Sequence, residues 1–190
     1  MKIPINIPVL GKEEISAVNY VLKSGVLTSA AMNGGKNVQE FEGLVKKFVK
    51  SKYAVAVNSG TAALQAALYS LGIKSGDEVI VPSFSFVASA NAIASTGAKP
   101  VFADVLQENF TINPESVRKK ITKKTKAIMP VHLYGHAAFL EELGELARKN
   151  DLGIVEDAAQ SLGTTLHKKY TGTFFDLGCY SLYPGKVMTS

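Results

Sequence analysis

Apolar and polar positions along the chain follow two periods in turn. Over residues 13–22 the apolar positions are Ile15, Val18, Val21 and Leu22, the three-and-four spacing of one helical face. The spacing returns over 38–49 through Phe41, Leu44, Val45 and Phe48. The intervening 24–37 is rich in Gly, Ser, Asn and Ala and reads as a loop. Further on, short continuous apolar runs appear at 53–57, 78–82, 99–105, 127–133, 152–157 and 178–182. Helical stretches at 62–71, 85–95, 113–121 and 139–149 separate most of them. Strands that are apolar without alternation are buried on both faces. The pattern therefore predicts an α/β fold, a mainly parallel sheet with helices on both faces. No repeat, low-complexity tract or linker interrupts it, so residues 1–190 read as a single domain.

Composition narrows the picture. Apolar residues make up 46% and charged residues 19% of 190 positions, the balance of a folded domain. No apolar run reaches the roughly 18 residues of a membrane span, and the opening M-K-I-P-I-N-I-P lacks the unbroken apolar stretch of a leader. A single cysteine, Cys179, excludes an intramolecular disulfide framework or a Cys-based zinc site and suggests a cytoplasmic chain. Twenty-one Lys+Arg against 16 Asp+Glu give +5. The densest basic run, R-K-K-I-T-K-K-T-K over 118–126, has no interleaved aromatic residues, so we read it as a solvated helix end and loop and expect no nucleic-acid partner.

Ligands of open parallel sheets bind beyond the carboxyl ends of the strands. There, Ser59-Gly60-Thr61 falls between an apolar run and a helix. It reads as a plain N-cap or as a phosphate seat, with a glycine permitting close approach and a helix N-terminus supplying free N–H groups. Asp157 ends the run L-G-I-V-E-D, where a carboxylate with little solvent needs a donor or a cation; the alternative is an Asp that caps the next turn. Lys186, in S-L-Y-P-G-K, follows a turn and is either a surface lysine or an amine aimed back over the strand ends. Ser181 precedes it as a second phosphate donor. Phe86 is either a core aromatic or a stacking platform. His132 and His136 have no evident third ligand, so no metal site is expected. Cys179 reads as a small buried group. A phosphate seat, an aromatic face, a carboxylate and an amine together suit pyridoxal 5'-phosphate.

These blocks resemble the DegT/StrS-type sugar aminotransferases, pyridoxal-phosphate enzymes with an aspartate-aminotransferase-like fold. The resemblance runs through A-V-A-V-N-S-G-T-A-A-L, G-D-E-V-I-V-P-S-F-S-F-V-A-S, G-A-K-P-V-F-A-D-V, T-K-A-I-M-P-V-H-L-Y-G, V-E-D-A-A-Q-S-L-G and D-L-G-C-Y-S-L-Y-P-G-K. It implies that Lys186 bonds the cofactor's aldehyde and that Asp157 pairs with the ring nitrogen. It implies that Gln160 sits near the phenolic oxygen and that Phe86 stacks on the ring. Gly60, Thr61 and Ser181, with Ser59 beside them, would hold the phosphate. It further implies a homodimer and amino transfer from glutamate or glutamine to a nucleotide-linked keto sugar. A dehydratase branch has His where this chain has Lys186.

The chain stops at Ser190, just beyond Lys186. The resemblance leads us to expect an N-terminal, cofactor-binding part of a longer aminotransferase, with the small C-terminal domain absent. An antiparallel strand is expected to be missing between the first and last apolar runs. The alternatives are a non-catalytic remnant that binds cofactor or a partner subunit, or another enzyme of the same cofactor class, such as a lyase.

Overall fold

The computed structural model describes residues 7–186 and 188, so the opening hexapeptide weighed against a leader lies outside the described residues. Helices α1 (Lys12–Ser24), α2 (Lys36–Val49) and α3 (Gly60–Ser70) come first. Then follow β1 (Glu78–Pro82), α4 (Ala88–Ser95), β2 (Lys99–Ala103), α5 (Pro114–Lys120) and β3 (Thr125–Ile128). The rest comprises α6 (Leu140–Asn150), β4 (Gly153–Asp157), the short strands β5 (Thr165–Leu166) and β6 (Lys169–Tyr170), and β7 (Leu177–Cys179). A five-stranded sheet has the order β2-β1-β3-β4-β7, and every pairing in it is parallel.

The continuous apolar runs have the expected cause. In β1, Val79 and Val81 face a core shared with Leu64 and Leu68 of α3 and Ile93 of α4. Ile80, between them, faces a second core with Val117 of α5 and Leu143 of α6. Ala127 and Ile128 divide in the same way, as do Val155 and Ile154. Each fully buried aliphatic side chain contributes about 1.5–3 kcal/mol. At the sheet edge, Phe102 of β2 is half exposed.

Two sequence expectations need correction, and one element carries no sequence signal. Residues 53–57 form no strand: Val55 is 81% exposed, and the Ala56 N–H donates to the Glu42 carboxylate (Oε1) at 2.8 Å instead of to a neighbouring strand. Apolar β-branched residues favour a ladder but cannot make one without a neighbouring strand, and none lies beside this segment among the described residues. The strand expected over 127–133 ends at Ile128 because Pro130 has no N–H to give. The backbone rejoins β4 only where Val131 bridges Asp157. The hairpin of β5 and β6 was not foreseen. Its turn residues His167 and Lys168 adopt φ of 49° and 63°, without the Asn-Gly or Asp-Gly that signals such turns.

The basic run does form a solvated end. Arg118, Lys119 and Lys120 close the last turn of α5, favourable for the helix dipole, and Arg118 Nε pairs with Glu115 at 3.2 Å.

Candidate active site

Asp157, the last residue of β4, carries the sheet's hydrogen bonding to its end. Its N–H donates to Pro130 O and its carbonyl accepts from His132 N. Its side chain is 4% exposed. Oδ2 accepts from Ser89 Oγ at 2.7 Å and Oδ1 from Ala159 N at 3.1 Å. Burial pushes the carboxyl above the usual aspartate range, against the pull of those two hydrogen bonds and of the Lys186 charge. The site thus holds a carboxylate that lacks water and gains from a cation.

At the same edge, α3 begins. Ser59 is its N-cap, accepting from Ala62 N at 3.1 Å. Gly60 packs so tightly against the segment beyond β7 that a Cβ there would lie 2.9 Å from Ser181 Cβ. Helix N–H groups, the exposed Thr61 and the Ser181 hydroxyl therefore gather in one place. Ser181 Oγ also accepts from Tyr183 N at 3.4 Å, shaping the turn that carries Lys186.

Phe86 follows β1 and is 66% exposed, so it is no core aromatic. Phe84 packs on Phe110 with ring centroids 5.7 Å apart. Gln160 Oε1 accepts from Tyr134 N at 2.9 Å, tying the loop after β4 to the turn after β3. Cys179 is buried in the core beside α3, and burial pushes its thiol up to about 12, so it is inert. Lys186 is half-buried, and its charge reaches Asp157. The structure brings Ser59, Gly60, Thr61, Asp157, Ser181 and Lys186 to the same end of the parallel strands, and Phe86 and Gln160 lie on loops leaving that end.

The profile of the DegT/DnrJ/EryC1/StrS aminotransferase family matches residues 8–190. The chain belongs to that family. It is 42% identical to the GDP-perosamine synthase of Vibrio cholerae over 99% of its own length and 50% of the relative's. It is 42% identical to the dTDP-3-amino-3,4,6-trideoxy-alpha-D-glucose transaminase of Streptomyces venezuelae over 92% and 46% of the two chains. Among solved structures, a Streptococcus pneumoniae protein described as a sugar aminotransferase, in its PLP form, superposes with a TM-score of 0.92 at 31% identity. That match covers 100% of this chain and 51% of the other. The chain thus spans about half the length of the relatives it matches.

Within this DegT/StrS-type fold, two arrangements escaped sequence reasoning. Glu156, fully buried, accepts from Gly172 N at 2.7 Å, Phe174 N at 2.7 Å, Phe175 N at 3.1 Å and His132 Nε2 at 3.0 Å. His132 Nδ1 accepts from Ala138 N at 3.1 Å, so the ring proton sits on Nε2 and points at Glu156. His132 is thereby a committed hydrogen-bonding residue. The second arrangement is Ser89 on Asp157. A carboxylate inside an apolar run was a signal for the first. Serines four apart at a helix start, Ser85 and Ser89, were a signal for the second.

Proposed function

We propose that this chain is the cofactor-binding part, residues 1–190, of a pyridoxal-phosphate-dependent aminotransferase. Its substrate would be a keto sugar linked to a nucleoside diphosphate, with glutamate or glutamine as amino donor. The observation that carries the reading is Asp157, a buried carboxylate at the strand edge within the electrostatic reach of Lys186. Membership of an aminotransferase family, with relatives named for GDP- and dTDP-sugar products, supports the substrate class.

The residues suit the cofactor. The Gly60–Ser181 approach leaves no room for a side chain but gathers N–H and hydroxyl donors, as a phosphate requires. When bound, pyridoxal phosphate supplies an electron sink for the carbanion formed at the donor's α-carbon. Asp157 would hold the proton on the ring nitrogen, and its burial makes that cationic partner favourable. Phe86 would offer its exposed face to the ring, and Gln160 would lie by the phenolic oxygen. Gly60, Thr61 and Ser181, flanked by Ser59, would take the phosphate. Lys186 Nζ would bond the aldehyde and, once displaced by the donor amine, carry a proton as general base and acid.

A homodimer belongs to the same reading. Exposed apolar stripes on α1 (Ile15, Val18, Leu22) and on α2 (Leu44, Phe48) support it, because such faces are normally covered. We infer a cytoplasmic setting from the substrate class; no helix among the described residues is long and apolar enough to cross a membrane.

The test is uptake of pyridoxal 5'-phosphate by the purified chain, followed by borohydride reduction and peptide mapping. The expected label lies on Lys186. Equal labelling of a Lys186→Ala variant overturns the assignment, and no uptake overturns the reading.

A further inference from the structure

We propose that Ser89 is a positioning residue for Asp157: its hydroxyl, supported by Ser85, fixes the rotation of the carboxylate and favours its charged form. The meaning for catalysis rests on the reading of Asp157 given above; the geometry stands without it.

Ser89 is 1% exposed, in the first turn of α4. It has a single hydroxyl proton and three oxygen neighbours. Asp157 Oδ2 lies at 2.7 Å, Phe86 O at 3.3 Å and Ser85 Oγ at 3.1 Å. The shortest contact, to a carboxylate, takes the proton. Ser85 is then the donor to Ser89 Oγ, and the hydroxyls run in one direction, Ser85 to Ser89 to Asp157. With Ala159 N on Oδ1, each carboxylate oxygen has one fixed donor and the side chain cannot swing.

The ionisable groups on the surrounding elements stand in other relations to Asp157. From the end of β3, His132 spends its Nε2 proton on Glu156 and its Nδ1 on Ala138. Glu156 occupies the opposite face of β4, turned to residues 172–175. On β7, Cys179 pairs with Asp157 across the strands and is buried. Lys186, beyond β7, contributes its charge. The second-largest influence on the Asp157 carboxyl, after burial, is the Ser89 hydrogen bond, and it pulls downward. If Ser89 only shaped the start of α4 through Phe86 O, its removal would leave the titration of Asp157 unmoved.

The experiment titrates the cofactor-free chain labelled with 13C at aspartate carboxyls, Asp157 being assigned by its absence in Asp157→Asn. Ser89→Ala is expected to move the Asp157 midpoint upward, and Ser89→Thr to restore it. Equal midpoints in wild type and Ser89→Ala overturn the proposal. Should Ser89→Ala not fold, Ser85→Ala reads the same relay: a smaller upward shift supports it, and none overturns it. In a second arm, Ser89→Ala is expected to bind pyridoxal 5'-phosphate about tenfold more weakly, as for loss of a hydrogen bond to a charged group. Failure of the wild type to bind it would remove the proposed function, while the titration still decides the role of Ser89.

Discussion

Gly60 and Ser181 belong to segments far apart in the chain, yet a Cβ on the glycine would meet the serine Oγ at 3.3 Å and the Tyr180 carbonyl at 3.4 Å. The start of α3 and the end of β7 are therefore built around a missing side chain. Gly60→Ala must push them apart. We expect a stability loss of about 1–3 kcal/mol from overpacking, measured by urea unfolding. Affinity for pyridoxal 5'-phosphate, read by fluorescence titration, should fall more than stability does. Unchanged affinity would remove Gly60 from the phosphate seat.

Phe86 offers the opposite contrast. Because it is largely exposed, Phe86→Ala should change stability by no more than about 0.5 kcal/mol. Loss of ring stacking should weaken cofactor binding by about 0.5–1.5 kcal/mol, a few-fold to tenfold. A large drop in melting temperature with intact binding would mean that Phe86 is structural.

The raised carboxyl of Asp157 predicts a pH dependence in the cofactor-free chain. Folding favours its protonated form, so the stabilising contribution is complete below the ordinary value of 3.8. It is lost as pH rises from there through the folded-state value. Asp157→Asn removes this loss. Wild-type stability should thus fall relative to the variant across that window, as measured by chemical unfolding at a series of pH values. Parallel curves for the two proteins would contradict the burial argument.

Glu156 holds the segment before β7 through three backbone N–H groups. Glu156→Gln brings an amide N–H₂ toward donors and leaves at least one unpaired, at a cost of about 3 kcal/mol. Hydrogen exchange should report it locally, with the amides of Gly172, Phe174 and Phe175 losing protection before the α3 core does. Uniform loss across the chain would instead indicate global destabilisation.

How far the sequence could be read depended on the range of the interaction. The apolar run E-V-I-V-P announced β1 because both of its faces are buried. Residues 53–57 carry the same apolar signal but form no strand, because a ladder is a property of two segments and the sequence displays only one. Ser85 and Ser89 were visible as letters; their alignment on Asp157 was not, since it depends on where α4 crosses the sheet.

The alternation of strands and helices from β1 to β4, the burial of both sheet faces, and the residue types suited to the cofactor were determined by the sequence alone, because periodicity and local chemistry need no partner. Tertiary structure alone decided which hydroxyl serves Asp157, that Glu156 binds both His132 and the 172–175 backbone, and that Gly60 must lack a side chain. Each of these is a contact between distant segments a few ångströms apart, where packing geometry selects the partner.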